Sequence, residues 1–117
     1  MSLFKEMMDL DRLLHEPSRL AIMTALSACE SADFIFLQRL TGMSKGNLSS
    51  HLSKLEEAEL VEIRKRFVGK VPNTNVSLTI TGSRAINEHW RKLEELRKEA
   101  KVWKPADGEL KPASRVN

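Results

Sequence analysis

The feature that most limits how this chain can fold is a three-residue break, Thr41-Gly42-Met43, between two helical stretches, with an alternating stretch close behind. A connection this short forces the two helices to cross and to share a core. Gly42 can take the positive φ that such a turn needs. Ahead of the break, Asp33 is expected to N-cap a short helix from Phe34 to about Leu40, its carboxylate accepting from otherwise orphaned N–H groups. Behind it, Ser44 is expected to cap a helix from Lys45 to about Ala58. Leu48, Leu52 and Leu55 fall on one side of that helix at steps of four and three.

Strand signals follow. Val61 and Ile63 alternate with Glu62 and Arg64 within the stretch Leu60 to Phe67. Gly69 to Asn75 is rich in turn formers and reads as the connection. Val76-Ser77-Leu78-Thr79-Ile80 alternates again and is expected to close a hairpin. Thr81 is then expected to cap a last helix. Upstream, apolar residues from Leu3 to Leu14 recur at three- and four-residue steps, which predicts an N-terminal helix. Pro17 suits the first turn of a second helix that runs to about Ala28. The predicted order is four helices, a hairpin and a helix, over residues 1–104. The polar ending 105–117, with Pro105, Gly108 and Pro112, reads as a frayed tail.

Composition fits this outline. A chain of 117 residues suits one domain, and 41% hydrophobic with 30% charged residues argues against wholesale disorder. Aromatics at 5% and few glycines favour a helix-rich fold over a β-sandwich. The lone Cys29 cannot form an internal disulfide, which suggests a reducing compartment. No apolar run approaches membrane-spanning length. Met1 to Glu6 lacks a basic run leading into an apolar one, so a cytoplasmic location is expected.

The chemistry concentrates between Ser44 and Asn75. On a helical wheel Leu48, Leu52 and Leu55 mark the buried side. Near the leading end, the surface consists of Ser44, Lys45, Gly46, Asn47, Ser49 and Ser50, with Ser53 and Lys54 further along. Short polar side chains let a helix sit deep in a groove. Lysine can reach guanine or phosphate, asparagine can pair with adenine, and serine can do either. A glycine inside a helix costs about 1 kcal/mol relative to alanine, and close approach to a phosphate backbone would explain Gly46. The hairpin carries Arg64, Lys65, Arg66 and Lys70 with no acidic residue between Ile63 and Thr79. Asn73, Thr74 and Asn75 are expected to add hydrogen-bonding groups at its tip. A solvated hairpin would mix both signs of charge; one-signed charge fits phosphate contacts or a minor-groove reach. The net charge of only +3 permits a polyanionic partner without requiring one.

The run Ser44-Lys45-Gly46-Asn47-Leu48-Ser49-Ser50-His51-Leu52 resembles the recognition helix of winged helix–turn–helix regulators of the MarR/ArsR type, and within them a small subgroup with a GNLSSHL signature. Leu60-Val61-Glu62, Lys70 to Thr74 and Leu78 to Gly82 carry the likeness onward, and Glu16-Pro17-Ser18-Arg19-Leu20 resembles that subgroup's DPxRL helix start. The likeness covers about Leu14 to His89. It implies a mainly α fold with a small β-hairpin, a winged helix–turn–helix flanked by N- and C-terminal dimerisation helices. It also implies a homodimeric regulator of transcription acting on double-stranded DNA. Two positions depart from the pattern. Glu59 stands where a glycine is usual, and a left-handed residue there would cost about 1 kcal/mol. Glu16 replaces an aspartate, which is expected to weaken the cap.

Two apolar stripes support a dimer independently: Leu3, Met7, Leu10 and Leu14 at one end, and Ile86, Trp90, Leu93, Leu96, Ala100 and Trp103 at the other. Exposed stripes of this size favour a shared interface. A two-fold dimer would set its recognition helices roughly 34–36 Å apart and predicts a palindromic operator. No metal or other cofactor is expected, because Cys29, His15, His51 and His89 have no close ligand spacing. Neither a nucleophile elbow nor a phosphate-binding glycine loop nor an HExxH motif is present, so no catalysis is expected. Nothing in the sequence names an effector. The rival reading is a winged-helix module that binds a protein or RNA. Lys45, Asn47, Arg64, Arg66 and Lys70 argue against the loss of basic surface such a module would have.

Overall fold

Leu48, Leu52 and Leu55 are all buried, and they fasten one helix into the centre of the molecule. A computed structural model describes residues 3–8 and 10–102. Its elements are α1 (Leu3–Met8), α2 (Pro17–Ser27), β1 (Ala32–Asp33), α3 (Phe34–Thr41), α4 (Lys45–Glu57), β2 (Val61–Val68), β3 (Val71–Leu78) and α5 (Ile80–Val102). The strands form one antiparallel sheet in the order β1-β3-β2. Leu14, Ile22, Met23, Leu26, Leu37, Val76 and Ile86 close around the α4 leucines. Full burial of one such side chain contributes roughly 1.5–3 kcal/mol, so this cluster fixes α4 against the rest. The expected mainly helical winged helix–turn–helix is the fold observed, with the predicted order of helices and hairpin.

Several boundaries differ from expectation, each for a local reason. The N-terminal helix stops at Met8 instead of reaching Leu14. Asp11 accepts hydrogen bonds from the backbone N–H groups of Leu13 (2.9 Å) and Leu14 (3.4 Å), and this side-chain turn competes with continued helix. Asp33 sits at the N-cap position of α3 without making a side-chain cap. Its carboxylate instead accepts from Asn75 Nδ2 at 3.3 Å, across the pairing of β1 with β3. The two-residue β1 was not expected at all; it is too short to carry an alternating pattern. The last helix is capped by Thr79 rather than Thr81: the Gly82 N–H donates to Thr79 Oγ1 at 2.9 Å. Trp103, Lys104 and the tail 105–117 lie outside the described residues.

The hairpin departs most. Residues 71–75, read as connection, are strand, and the turn is only Gly69-Lys70, with Val68 opposite Val71. Gly69 has φ 65° and Lys70 does not share the positive region, the pattern of a type II′ turn. Asn73, Thr74 and Asn75 therefore lie along β3, opposite Arg66, Lys65 and Arg64, and not at the tip.

The link from α4 to β2 closes as a Schellman motif: Leu60 N–H donates to the Leu55 carbonyl (3.0 Å) and Glu59 N–H to that of Glu56 (2.9 Å). This requires a left-handed residue, and Glu59 has φ 62°. The strain expected at this non-glycine position is thus present. Glu59→Gly is expected to stabilise the fold by about 1 kcal/mol, read as a higher urea midpoint with an unchanged m value. No gain would mean that Glu59 is not strained.

Candidate nucleic-acid interface

Ser44 starts the candidate interface. Its Oγ accepts from the Asn47 backbone N–H at 3.2 Å, capping α4 and leaving the hydroxyl proton free to donate outward. Ser44, Lys45, Gly46, Asn47, Ser49, Ser50, Ser53 and Lys54 are all exposed, as the three-leucine face dictates. A Cβ built on Gly46 would meet nothing within 4 Å. The fold itself therefore has no need of this glycine.

His51, between these residues and the buried leucines, is half-buried. Arg19 reaches it from α2, with NH1 3.1 Å from His51 Nδ1, and the same guanidinium donates through Nε to the Leu13 carbonyl at 2.6 Å. One side chain thereby ties the N-terminal segment, α2 and α4 together. Glu16 completes the knot: it accepts from Arg19 N–H at 2.9 Å, so the cap expected to be weak is made, and its Oε2 lies 3.8 Å from His51 Nδ1. Burial pushes the Glu16 carboxyl up, but backbone donation from Arg19 and Ser18, with the nearby His51 and Arg19, outweighs it and holds the group below the usual carboxylate range. The Glu-Pro-Ser-Arg start is visible in the sequence but its hold on α4 is not, because only the helix crossing brings Arg19 to His51.

The wing stands beside α4. In β2 the odd-numbered residues face the core side and the even-numbered ones face away. Lys65 thus shares its face with Ile63 and, through the register, with Thr74 and Val76. Between this face and α4 runs an open groove of about 630 Å³, lined by Lys45, Ser49 and Ser53 from α4 and by Lys65 and Thr74 from the wing. Leu52, Ile63 and Phe34 form apolar lining, and Glu56 is the only carboxylate among the lining residues. Arg66 points to the opposite face, where its Nε donates to Asn73 Oδ1 at 3.1 Å. Arg64 is partly neutralised by Glu62 at 3.1 Å. Among the described residues Lys45, Lys54, Lys65, Arg66 and Lys70 make no ion pair.

The residues expected at a dimer interface separate into groups. Leu14 and Ile86 are taken up in the protomer's own core, at 2% and 0% exposure, which interrupts both stripes. Leu10 and Leu96 bury each other in a small second cluster with Leu93. Met7, Trp90 and Ala100 are exposed, although Trp90 Nε1 donates to Thr24 Oγ1 at 2.9 Å. Nothing is described of the Leu3 side chain, and Trp103 lies outside the described residues. Beneath these helices His15 Nδ1 lies 3.1 Å from His89 Nε2. Burial, helped by His15 and Lys92 and opposed by Asp11, lowers the His89 pKa. Among the described residues no three His, Cys, Asp or Glu side chains cluster as a metal site, and no helix is long and apolar enough to cross a membrane.

Comparison with known proteins bears on this geometry. Residues 18–97 match the family described as the winged helix DNA-binding domain. An uncharacterized protein of Methanocaldococcus jannaschii is 28% identical over 87 residues, which cover 74% of this chain and 95% of the relative. Among solved structures, a transcriptional regulator homologue from Pyrococcus horikoshii OT3 superposes with TM-score 0.78 at 29% identity, covering 87% of this chain and all of that one. A MarR-family transcriptional regulator from Porphyromonas gingivalis W83 gives TM-score 0.59 at 19% identity, over 86% of this chain and 89% of that one, a likeness of fold alone.

Proposed function

The chain belongs to the family of winged helix DNA-binding domains, and we propose that it regulates transcription by binding specific double-stranded DNA as a homodimer. The observation that carries the reading is the groove between α4 and the wing, with Lys45 on one wall and Lys65 on the other. A single sugar–phosphate strand separates the major groove of a duplex from its minor groove. A helix in the first and a hairpin in the second must straddle that strand. The groove offers cations and hydroxyls for that strand from both sides.

In this reading Ser44, Lys45, Gly46, Asn47, Ser49, Ser50, Ser53 and Lys54 enter the major groove. Asn47 and Ser50 read bases; Lys45 and Ser44 hold phosphate or guanine. Gly46 lets the helix approach closely, which supplies the reason that the fold does not. Arg64, Lys65, Arg66, Lys70, Asn73, Thr74 and Asn75 grip the flanking backbone. We further assign the protein to the MarR/ArsR type, and its GNLSSHL run to the small subgroup that shares it.

The dimer is assigned to the terminal helices. Met7, Met8, Trp90 and Val102 remain exposed there. The length of α5, about 34 Å at 1.5 Å per residue, carries it well past the core. A two-fold axis through these helices gives a palindromic operator.

Fluorescence anisotropy of a pooled genomic duplex library tests the reading. Wild-type protein is expected to bind in a salt-sensitive manner and to enrich a palindrome. The double variant Lys45→Ala/Asn47→Ala is expected to lose that enrichment. Absence of duplex binding at low salt, or binding that the double variant leaves unchanged, would redirect attention to a protein or RNA partner.

A further inference from the structure

Within α4, Leu48, Leu52 and Leu55 are buried, His51 is half-buried and every other residue is exposed. His51 therefore marks the border between the packed face and the open one. At 3.6 residues per turn it lies about 160° around the helix from Ser49, which lines the groove beside the wing. His51 is thus on the flank away from the wing. Asn47 and Lys54, four residues before it and three after, share that side.

Arg19 sets the chemistry of the ring. A guanidinium carries only donors, so with Arg19 3.1 Å from Nδ1 that nitrogen must accept. The ring proton then sits on Nε2. Arg19 is itself held by the Leu13 carbonyl and is only 12% exposed, so the group that fixes the ring is fixed in turn. Nε2 has no partner among the described residues, yet no buried side-chain nitrogen there goes unsatisfied. Nε2–H therefore reaches solvent, although the side chain as a whole is only 19% exposed. A donor aimed outward from a rigid ring, beside the exposed Lys54, suits an anionic acceptor.

Resting on the DNA-binding reading above, we propose that His51 donates through Nε2–H to a backbone phosphate of the strand farther from the wing, with Arg19 as the residue that positions it. A helix in the major groove lies between two phosphate walls. The groove shared with the wing serves the near wall, and this flank serves the far one. A side chain that the fold half-buries stops short of the groove floor, which leaves the wall. Imidazole in this tautomer is neutral, so the contact adds affinity without releasing a counterion, unlike those of the lysines.

The test uses the full chain and the duplex enriched from the library, with each backbone linkage replaced in turn by a neutral methylphosphonate. Wild-type protein is expected to lose affinity at a far-strand linkage that His51→Leu no longer senses. His51→Leu is expected to bind about tenfold more weakly per protomer on every sequence, with the salt slope and the enriched sequence unchanged. His51→Asn keeps an acceptor for Arg19 but lacks the outward donor, and should behave alike. His51→Gln places an N–H near the position of Nε2 and should recover most of the loss. Nitrogen-15 NMR of the free protein is expected to show His51 protonated on Nε2 and bare on Nδ1, and Arg19→Leu to mix the two tautomers and weaken binding. Wild-type affinity in His51→Leu and His51→Asn would overturn the contact while leaving the DNA-binding reading intact. So would a flattened salt slope, a changed enriched sequence, or a wild-type proton on Nδ1. If the wild-type chain binds no duplex, the DNA-binding reading falls and the contact with it.

Discussion

Gly82→Ala is expected to lower the midpoint of thermal unfolding by about 10 °C or more. A Cβ at this position would lie 1.9 Å from the Leu60 carbonyl oxygen and 2.8 Å from its carbon. These are backbone atoms and cannot swing away. Leu60 is held through its N–H on Leu55, and its carbonyl accepts from Thr79 N–H at 3.1 Å. Two effects oppose each other. Alanine favours a helical position by at most about 1 kcal/mol over glycine, and less in a first turn such as that of Gly82, while forcing rigid groups apart costs about 3 kcal/mol or more. The clash wins. Gly46→Ala provides the contrast. Nothing lies within 4 Å of its Cβ, so the propensity acts alone and the fold should gain stability, by less than the ~1 kcal/mol of an interior position because Gly46 is in the first turn of α4. Circular dichroism melts of both variants suffice. A Gly82→Ala midpoint at or above that of the wild type would mean that α5 does not approach Leu60 this closely.

The same contact bears on the proposed DNA-facing surface. Leu60 connects α4 to the wing, and Gly82 lets the start of α5 rest directly on it. Thr79 adds a hydrogen bond from its hydroxyl to the Glu59 carbonyl at 2.7 Å. The link between α4 and the wing is thus held at three neighbouring points, two of them between backbone atoms and one through the Thr79 hydroxyl. A variant that survives the Gly82 clash by shifting α5 would widen or narrow the groove that Lys45 and Lys65 share.

How much of this could be read beforehand depends on whether the signal was local. The periodicity of Leu48, Leu52 and Leu55 gave α4 its buried face, and Gly42 and Glu59 marked two left-handed positions because turn geometry is a property of a few adjacent residues. The wing's length was hidden by its composition: Pro72, Asn73 and Asn75 are turn formers. Pro72 is tolerated because Val68 and Val71 close the turn, so its missing N–H belongs to a pair whose donor would point away from β2. On that side β1 reaches only Val76 and Asn75. The terminal stripes were only partly legible for another reason. Periodicity identifies an apolar face without saying what covers it, and Leu14 and Ile86 are covered by this protomer's own core. Gly82, Arg19 and the His15–His89 pair carry no local signal, since each depends on a helix crossing.

Neutralising the wing gives the largest expected effect on DNA affinity. Lys65, Arg66 and Lys70 are exposed and make no ion pair among the described residues, so replacing all three with glutamine should leave the fold within about 0.5 kcal/mol. They face three directions, which suits a hairpin in a minor groove: Lys65 toward the strand beside α4, Arg66 toward the opposite strand, and Lys70 at the end. Each phosphate contact contributes about 0.9 to the slope of log affinity against log salt, so losing three flattens the slope by about 2.7 per bound protomer. Between 50 and 200 mM salt the triple variant should therefore lose about 40-fold less affinity per protomer than the wild type, and roughly the square of that as a homodimer on its operator. At low salt, where wild-type binding is strongest, the variant should be weaker on every duplex alike. The enriched sequence should stay the same, because bases in this reading are read by Asn47 and Ser50. Anisotropy titrations at four salt concentrations, followed by sequencing of the bound pool, separate the alternatives. An unchanged slope would remove the wing cations from the phosphate contacts. A flattened slope accompanied by a changed sequence preference would mean that the wing reads bases as well.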